Sequence, residues 1–159
     1  MNSVGIIGFG RFGKVLANLL EKGFQVKIFD NNPNTYLPET KFVNKQTIVK
    51  EKTIFIAVPI RNFENVIKEI CNELNEGQTI IDVCSVKVYP TEIMKKLLPK
   101  NINIIGTHPM FGPDSFQSNR KLKMMMHNVQ HINNTFEFWK QYFKGQKIDV
   151  LEMTSEKHD

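Results

Sequence analysis

One hexapeptide restricts this chain more than any other feature. Gly8-Phe9-Gly10-Arg11-Phe12-Gly13 stands between a short apolar run, residues 3–7, and a stretch with apolar residues at Phe12, Val15, Leu16, Leu19 and Leu20. The run reads as a strand. The stretch, spaced i, i+3, i+4, i+7, i+8, is one face of a helix, and Gly23 stops it. Glycines between a strand and a helix have separate uses: a tight turn, room for a pyrophosphate against the backbone, and close packing of helix on strand. A second strand, 25–29, ends on Asp30, about 20 residues past the loop, where a carboxylate can hold a ribose 2′-OH. The unit predicts a dinucleotide site built from Gly8, Phe9, Gly10, Arg11, Phe12, Gly13 and Asp30. Asp30 favours NAD, because a 2′-phosphate would meet a like charge. Arg11, which could reach such a phosphate, keeps NADP as the alternative.

The remaining chain repeats the alternation. Residues 53–58 form a continuous apolar run suited to a parallel strand covered on both faces, and Pro59 ends it. A helix follows with Phe63, Val66, Ile67, Ile70, Cys71 and Leu74 on one face, closed by Gly77. Residues 79–84 are a strand, and Pro90 opens a helix with Ile93, Leu97 and Leu98 inward. Strands are expected at 102–105, 122–126 and 148–153, with a helix bearing Phe136, Trp139 and Phe143 capped by Asn134. Between 34 and 51 the pattern is weakest: a short strand near 41–43 and a small helix near 46–50. Repeated βαβ units with right-handed crossovers make this an α/β protein with a doubly wound, mostly parallel sheet of the Rossmann type. With 159 residues, one domain over 1–153 is expected, with 154–159 beyond it.

Composition narrows the function classes. Hydrophobic residues at 41% and charged residues at 23% exclude wholesale disorder. No apolar run approaches the ~18 residues of a membrane helix. The lysines behind the net charge of +5 are scattered, which suits a small anionic substrate and argues against nucleic acid. Cys71 and Cys84 form no CxxC and no disulfide framework, as expected of packing cysteines in a reducing cytoplasm. The start of the chain has no basic lead or apolar h-region, so no targeting segment is read there. No histidine, cysteine and carboxylate cluster has metal-ligand spacing.

Polar residues collect where three predicted strands end. Val58 and Pro59 follow one strand and are placed as the second wall of the cofactor site. Asp82-Val83-Cys84-Ser85-Val86-Lys87 follows another. Thr107-His108-Pro109-Met110-Phe111-Gly112-Pro113-Asp114-Ser115 follows a third. Convergent polar groups at the carboxyl ends of such strands are the default site in this architecture. A neutral imidazole at His108 can accept a hydroxyl proton as hydride leaves the same carbon. Ser85 can orient that imidazole or bond the substrate, Lys87 can attract a substrate carboxylate, and Asp114 can set local charge.

GIIGFGRFG, DVCSVK and THPMFGPDS, in that order, resemble the nucleotide-binding domain of prephenate and arogenate dehydrogenases. HPMFGP with SVK looks closest to the arogenate-type branch, plant enzymes included. LEMTSEKHD is similar to the segment that leads into that family's next domain. The resemblance implies an NAD(P)-dependent oxidative decarboxylation in tyrosine biosynthesis. Hydride passes from the hydroxyl-bearing ring carbon to the nicotinamide, carbon dioxide leaves the opposite carbon, and the ring becomes aromatic. It also implies His108 as the catalytic histidine, Ser85 as the active-site serine, and Asp114 at the pocket rim. The family's dinucleotide glycines fall on Gly8, Gly10 and Gly13, and its ribose acid on Asp30. Members continue into a helical domain that dimerises, closes the site and supplies a substrate-binding arginine. That domain is expected to begin where residues 154–159 start a junction. Self-association or a separate helical partner is therefore expected, with cofactor binding contained in this chain. A plastid-like compartment would require a targeting segment already removed. Two other readings remain: a non-catalytic NAD(H)-binding regulatory module, and another Rossmann-type reductase acting on β-hydroxyacids or imines.

Overall fold

A computed structural model describes residues 2–32, 41–112, 114 and 121–159. In chain order its elements are β1 (Ser3–Ile7), α1 (Arg11–Glu21), β2 (Gln25–Phe29), α2 (Lys45–Ile48), β3 (Thr53–Ile56), α3 (Ile60–Ile70), β4 (Thr79–Asp82) and α4 (Val88–Leu97). They continue with β5 (Asn103–Pro109), β6 (Leu122–Gln130), α5 (Thr135–Gly145), β7 (Ile148–Glu152) and α6 (Ser155–His158). The seven strands form one sheet in the order β2-β1-β3-β4-β5-β6-β7. Strands β1 to β5 are mutually parallel. Strand β6 runs antiparallel to β5, and β7 parallel to β6.

The period-2 alternation of the strands divides the core. Val4, Ile6, Phe55, Ile81 and Ile105 face one side, where Leu16, Leu19 and Leu20 of α1 meet Trp139 and Phe143 of α5. Ile7, Ile54, Ile56, Ile80 and Ile104 face the other, against Ile48 of α2, Phe63 and Ile67 of α3, and Met94 of α4. Burial on both faces explains why these strands are continuous apolar runs. The sheet is doubly wound, as the alternation of elements predicts. The winding reverses between β1 and β3, and the carboxyl ends of those strands border the crevice where open α/β sheets bind ligands.

Several boundaries differ from the sequence reading for identifiable reasons. Strand β5 continues through His108 to Pro109, because β6 pairs alongside it with His108 opposite Met125. His108 therefore sits inside a strand and not in a turn after it. Residues 41–43 make a single parallel bridge, Phe42 to Ile28, in place of a strand. Helix α3 tightens into a 3-10 turn over Cys71–Glu73. The side chain of Asn133, and not Asn134, accepts the Thr135 N–H at the start of α5, at 3.1 Å. Residues 34–40 of the weakly patterned stretch, and Pro113 and Ser115 after the fifth strand, lie outside the described residues.

Trp139 is the largest fully buried side chain, 2% exposed, and its ring contacts Phe24, Phe55, Tyr142 and Phe143. Emptying a site of that size costs about 3–5 kcal/mol. Trp139→Ala is expected to lower unfolding free energy by that amount in urea titration followed by circular dichroism. An unchanged midpoint would show that α5 does not anchor this face.

Candidate active site

The glycine loop is held by contacts that exclude side chains. Gly8 has φ +104°, and a Cβ there would lie 2.3 Å from the Ala57 carbonyl oxygen. A Cβ on Gly13 would lie 2.6 Å from the Gly8 carbonyl oxygen, so α1 can approach β1 only through glycine. Gly10 differs: nothing stands within 4 Å of its Cβ position, and it precedes α1 without a side-chain cap. The open space and the free N–H groups of the first turn suit an anion such as a pyrophosphate. Asp30 is wired to this loop. Its Oδ2 accepts the Phe9 N–H at 2.6 Å and its Oδ1 the Asn32 N–H at 2.7 Å. Each oxygen retains a lone pair for a ribose hydroxyl. The residues present thus fit a dinucleotide.

Two cavities flank the loop, and Val58 lines both. One, of about 350 Å³, is bordered by Asp30, Asn32, Lys45, Asn62 and Val66. The other, of about 390 Å³, is bordered by Gly10, Arg11, Phe12, Pro59 and Ser85. Arg11 therefore lines the cavity away from Asp30, which does not suit the expected reach to a phosphate on the Asp30 ribose. Lys45 lines the same cavity as Asp30. The sequence reading missed it because it lies in the weakly patterned stretch before β3.

The ends of β4 and β5 are tied by a buried ion pair. Lys87 and Asp82 are both fully buried, and the ammonium bonds Asp82 Oδ2 and the Thr107 carbonyl, the latter at 2.5 Å. Thr107 Oγ1 donates back to the Asp82 carbonyl at 2.7 Å. The expectation that Lys87 meets a substrate carboxylate is corrected by this placement: its charge is consumed inside the fold. Burial pushes the Asp82 carboxyl up, with the neighbouring ammonium opposing. Burial, with Asp82 second, pushes the Cys84 thiol up to about 12, which disfavours the reactive thiolate. Ser85 is exposed and borders the cavity beside Arg11. Asp114 is exposed.

His108 is half-buried on β5, and burial, followed by the neighbouring His158 and Lys87, holds its pKa below the ordinary 6.5. The neutral imidazole is the form that accepts protons. Just past the end of β5, the Phe111 ring packs beside the glycine loop, its centroid 6.1 Å from that of Phe12. His158 lies against the imidazole: His108 Nδ1 is 2.8 Å from His158 Nε2. Asp159 Oδ1 in turn is 2.7 Å from His158 Nδ1. No local spacing signals this contact, since the two histidines are 50 residues apart. His127 is on β6 and bonds Ser155. Among the described residues no group of three or more His, Cys, Asp or Glu is placed to hold a metal ion. None of the described helices is long and apolar enough to cross a membrane.

Comparison with known proteins agrees with this geometry. The family model "Prephenate dehydrogenase, nucleotide-binding domain" matches residues 19–132. A probable arogenate/prephenate dehydrogenase of Methanocaldococcus jannaschii is 33% identical over 118 residues, covering 73% of this chain and 26% of that protein. The chloroplastic arogenate dehydrogenase 2 of Arabidopsis thaliana is 25% identical over 172 residues, covering 98% of this chain and 48% of that protein. The chain thus spans about half, or less, of the length of these curated relatives. The crystal structure of Aquifex aeolicus prephenate dehydrogenase matches with TM-score 0.81 at 20% identity, over 99% of this chain and 63% of that one. That protein is also known in complex with hydroxyphenyl propionate and NAD+. Synechocystis arogenate dehydrogenase matches with TM-score 0.76 at 18% identity, over 98% of this chain and 61% of that one.

The buried ion pair makes a direct prediction. Lys87→Met leaves the Asp82 carboxylate buried without its counter-charge, which costs about 3–5 kcal/mol. Denaturant titration should show that loss, and the double variant with Asp82→Asn should recover most of it. Equal stability of wild type and Lys87→Met would mean that the pair contributes nothing.

Proposed function

The chain belongs to the prephenate dehydrogenase family, of which it carries the nucleotide-binding domain, and we propose that it serves the NAD(P)-dependent oxidative decarboxylation of prephenate or arogenate in tyrosine biosynthesis. The observation that carries the reading is a convergence. The glycine loop, Asp30 and His108 stand at the carboxyl ends of β1, β2 and β5, joined by the Phe12–Phe111 contact. In this reading the pyrophosphate lies over Gly10 at the start of α1, Asp30 holds the adenosine ribose, and Val58, which lines both cavities, forms the second wall with Pro59. NAD is favoured by the Asp30 carboxylate, with Lys45 the group that would admit NADP.

A dinucleotide held by the glycine loop and Asp30 would supply the acceptor for the hydride that leaves the hydroxyl-bearing ring carbon. His108 holds the hydroxyl proton while that C–H bond breaks. The C–C bond to the ring carboxylate then breaks, its electron pair enters the ring, and carbon dioxide departs. His108 returns its proton to the phenolic oxygen. Ser85, at the edge of the cavity beyond Arg11, bonds the same hydroxyl or the imidazole, and Asp114 sets charge at the rim. Holding two carboxylates against water needs positioned cations. Lys87, turned inward, is not one of them. We assign that role to a further domain or a second chain, in keeping with the share of its relatives that this chain spans. A free thiol at Cys71 and another at Cys84 suit a reducing compartment such as the cytoplasm.

Calorimetry with NAD+ tests the cofactor half: Gly10→Val should abolish binding, since the substituted side chain fills the pyrophosphate's space. Absorbance of NADH formed from prephenate or arogenate, measured with the domain or partner chain that completes the substrate site present, tests the other half. His108→Asn should keep NAD+ affinity and lose about 10²–10⁴-fold in rate. The wild-type rate should fall with acidification through a pKa below 6.5, as the imidazole takes up its proton. Unchanged turnover in His108→Asn, or binding that survives Gly10→Val, would contradict the proposal.

A further inference from the structure

The last six residues do more than lead out of the domain. Thr154 starts α6 by accepting the Lys157 N–H at 3.2 Å. Ser155 is fully buried, with its Oγ 2.7 Å from Thr91 Oγ1 of α4 and 2.8 Å from His127 Nδ1 of β6. The Ser155 N–H donates to the same His127 nitrogen at 3.1 Å. At the other end, Asp159 accepts the backbone N–H groups of Lys87 and Val88, at 3.0 and 2.9 Å, where α4 begins. The segment is thus fastened at both ends across α4 and β6. Between the two fastenings His158, 13% exposed, is brought edge-on to His108, with ring centroids 4.9 Å apart.

We propose that His158 and Asp159 are positioning residues that fix the tautomer of His108 through a hydrogen-bonded relay. The assignment follows from donor and acceptor arithmetic. A carboxylate only accepts, so the 2.7 Å contact of Asp159 Oδ1 requires a proton on His158 Nδ1. A neutral imidazole with Nδ1–H has a bare Nε2. That nitrogen is 2.8 Å from His108 Nδ1, which must therefore donate. His108 Nε2 is left as a lone pair, the state a proton acceptor needs. The α4 N-terminus steadies the start of the relay, because its N–H groups stabilise the Asp159 charge. Bonds from Val88 and His158 hold the Asp159 carboxyl below its ordinary pKa, so the relay keeps its acceptor into mild acid. Among the described residues, the charged and titratable groups that act on His108 are His158 and Asp159 from the terminal segment and Lys87 from the loop before α4; its β6 partner, Met125, carries none.

The inference rests on the reading of His108 as proton acceptor, but its test needs no turnover. The chain has 4 histidines, so their ring nitrogens can be resolved by long-range proton–nitrogen NMR on the full chain labelled at histidine. At about pH 8.5, roughly two units above the ordinary imidazole pKa, His108 should show the Nδ1–H form. His158→Phe should lose it in favour of Nε2–H, the default of a free imidazole. Asp159→Ala should give a mixture, and His158→Gln, whose amide oxygen can accept, should restore Nδ1–H. Amide spectra report whether each variant remains folded. An Nε2–H form of His108 in the wild type, or an Nδ1–H form unchanged in folded His158→Phe and Asp159→Ala, would overturn the relay. NADH formation is read separately. The stated tautomers without turnover leave the relay standing and count against the proposed reaction; turnover with the Nε2–H form leaves the reaction standing and removes the relay.

Discussion

Burying an ammonium group is costly unless it is paired and hydrogen-bonded, and the site depends on how Lys87 meets that condition. Its partners, Asp82 and the Thr107 carbonyl, belong to adjacent strands just short of Ser85 and His108. The bond therefore fixes the spacing of the two strand ends that carry the proposed chemistry. The backbone N–H of the same lysine is taken by Asp159, which draws the end of the chain, and His158 with it, against the sheet. One residue thus connects β4, β5, α4 and the terminal segment. Replacing both Lys87 and Asp82 by apolar residues can be equally stable, but it would not set these elements in register.

The cofactor side depends on the opposite condition, the absence of side chains. At Gly8 and Gly13 the backbone approaches the carbonyls of Ala57 and Gly8 too closely for any Cβ, while at Gly10 the space is left open. The first two close the packing of β1, β3 and α1, and the third leaves room for a ligand. Asp30, bonded to Phe9 and Asn32, transmits the shape of the loop to the cavity next to it.

These features differ in how far they can be read from sequence. The sheet and its helices were legible because period-2 and period-3.6 patterns are local, and so was the glycine loop, whose meaning comes from the elements on either side. Asp30 was legible because its distance from the loop is set by one crossover. Lys87 was misread because a lysine after a strand is ordinarily solvated, and only the three-dimensional approach of Thr107 shows otherwise. The length of β5 was underestimated because it depends on pairing with β6, more than a dozen residues later. His158 was missed for the same reason in stronger form: its partner is on another strand, and the contact exists only once Ser155 and Asp159 have anchored the segment.

The central claim is that this domain takes a dinucleotide along the crevice at the ends of β1 and β3, with His108 on the same side of the sheet. Titrating the nitrogen-labelled chain with NAD+ and following its amide signals tests this most directly. The account predicts saturable shifts concentrated at Gly10 and Arg11, at Asn32, at Val58 and at Ser85. No saturable shifts, or shifts gathered instead around Phe24, Lys52 and Trp139 at the cavity lined by those residues, would contradict it.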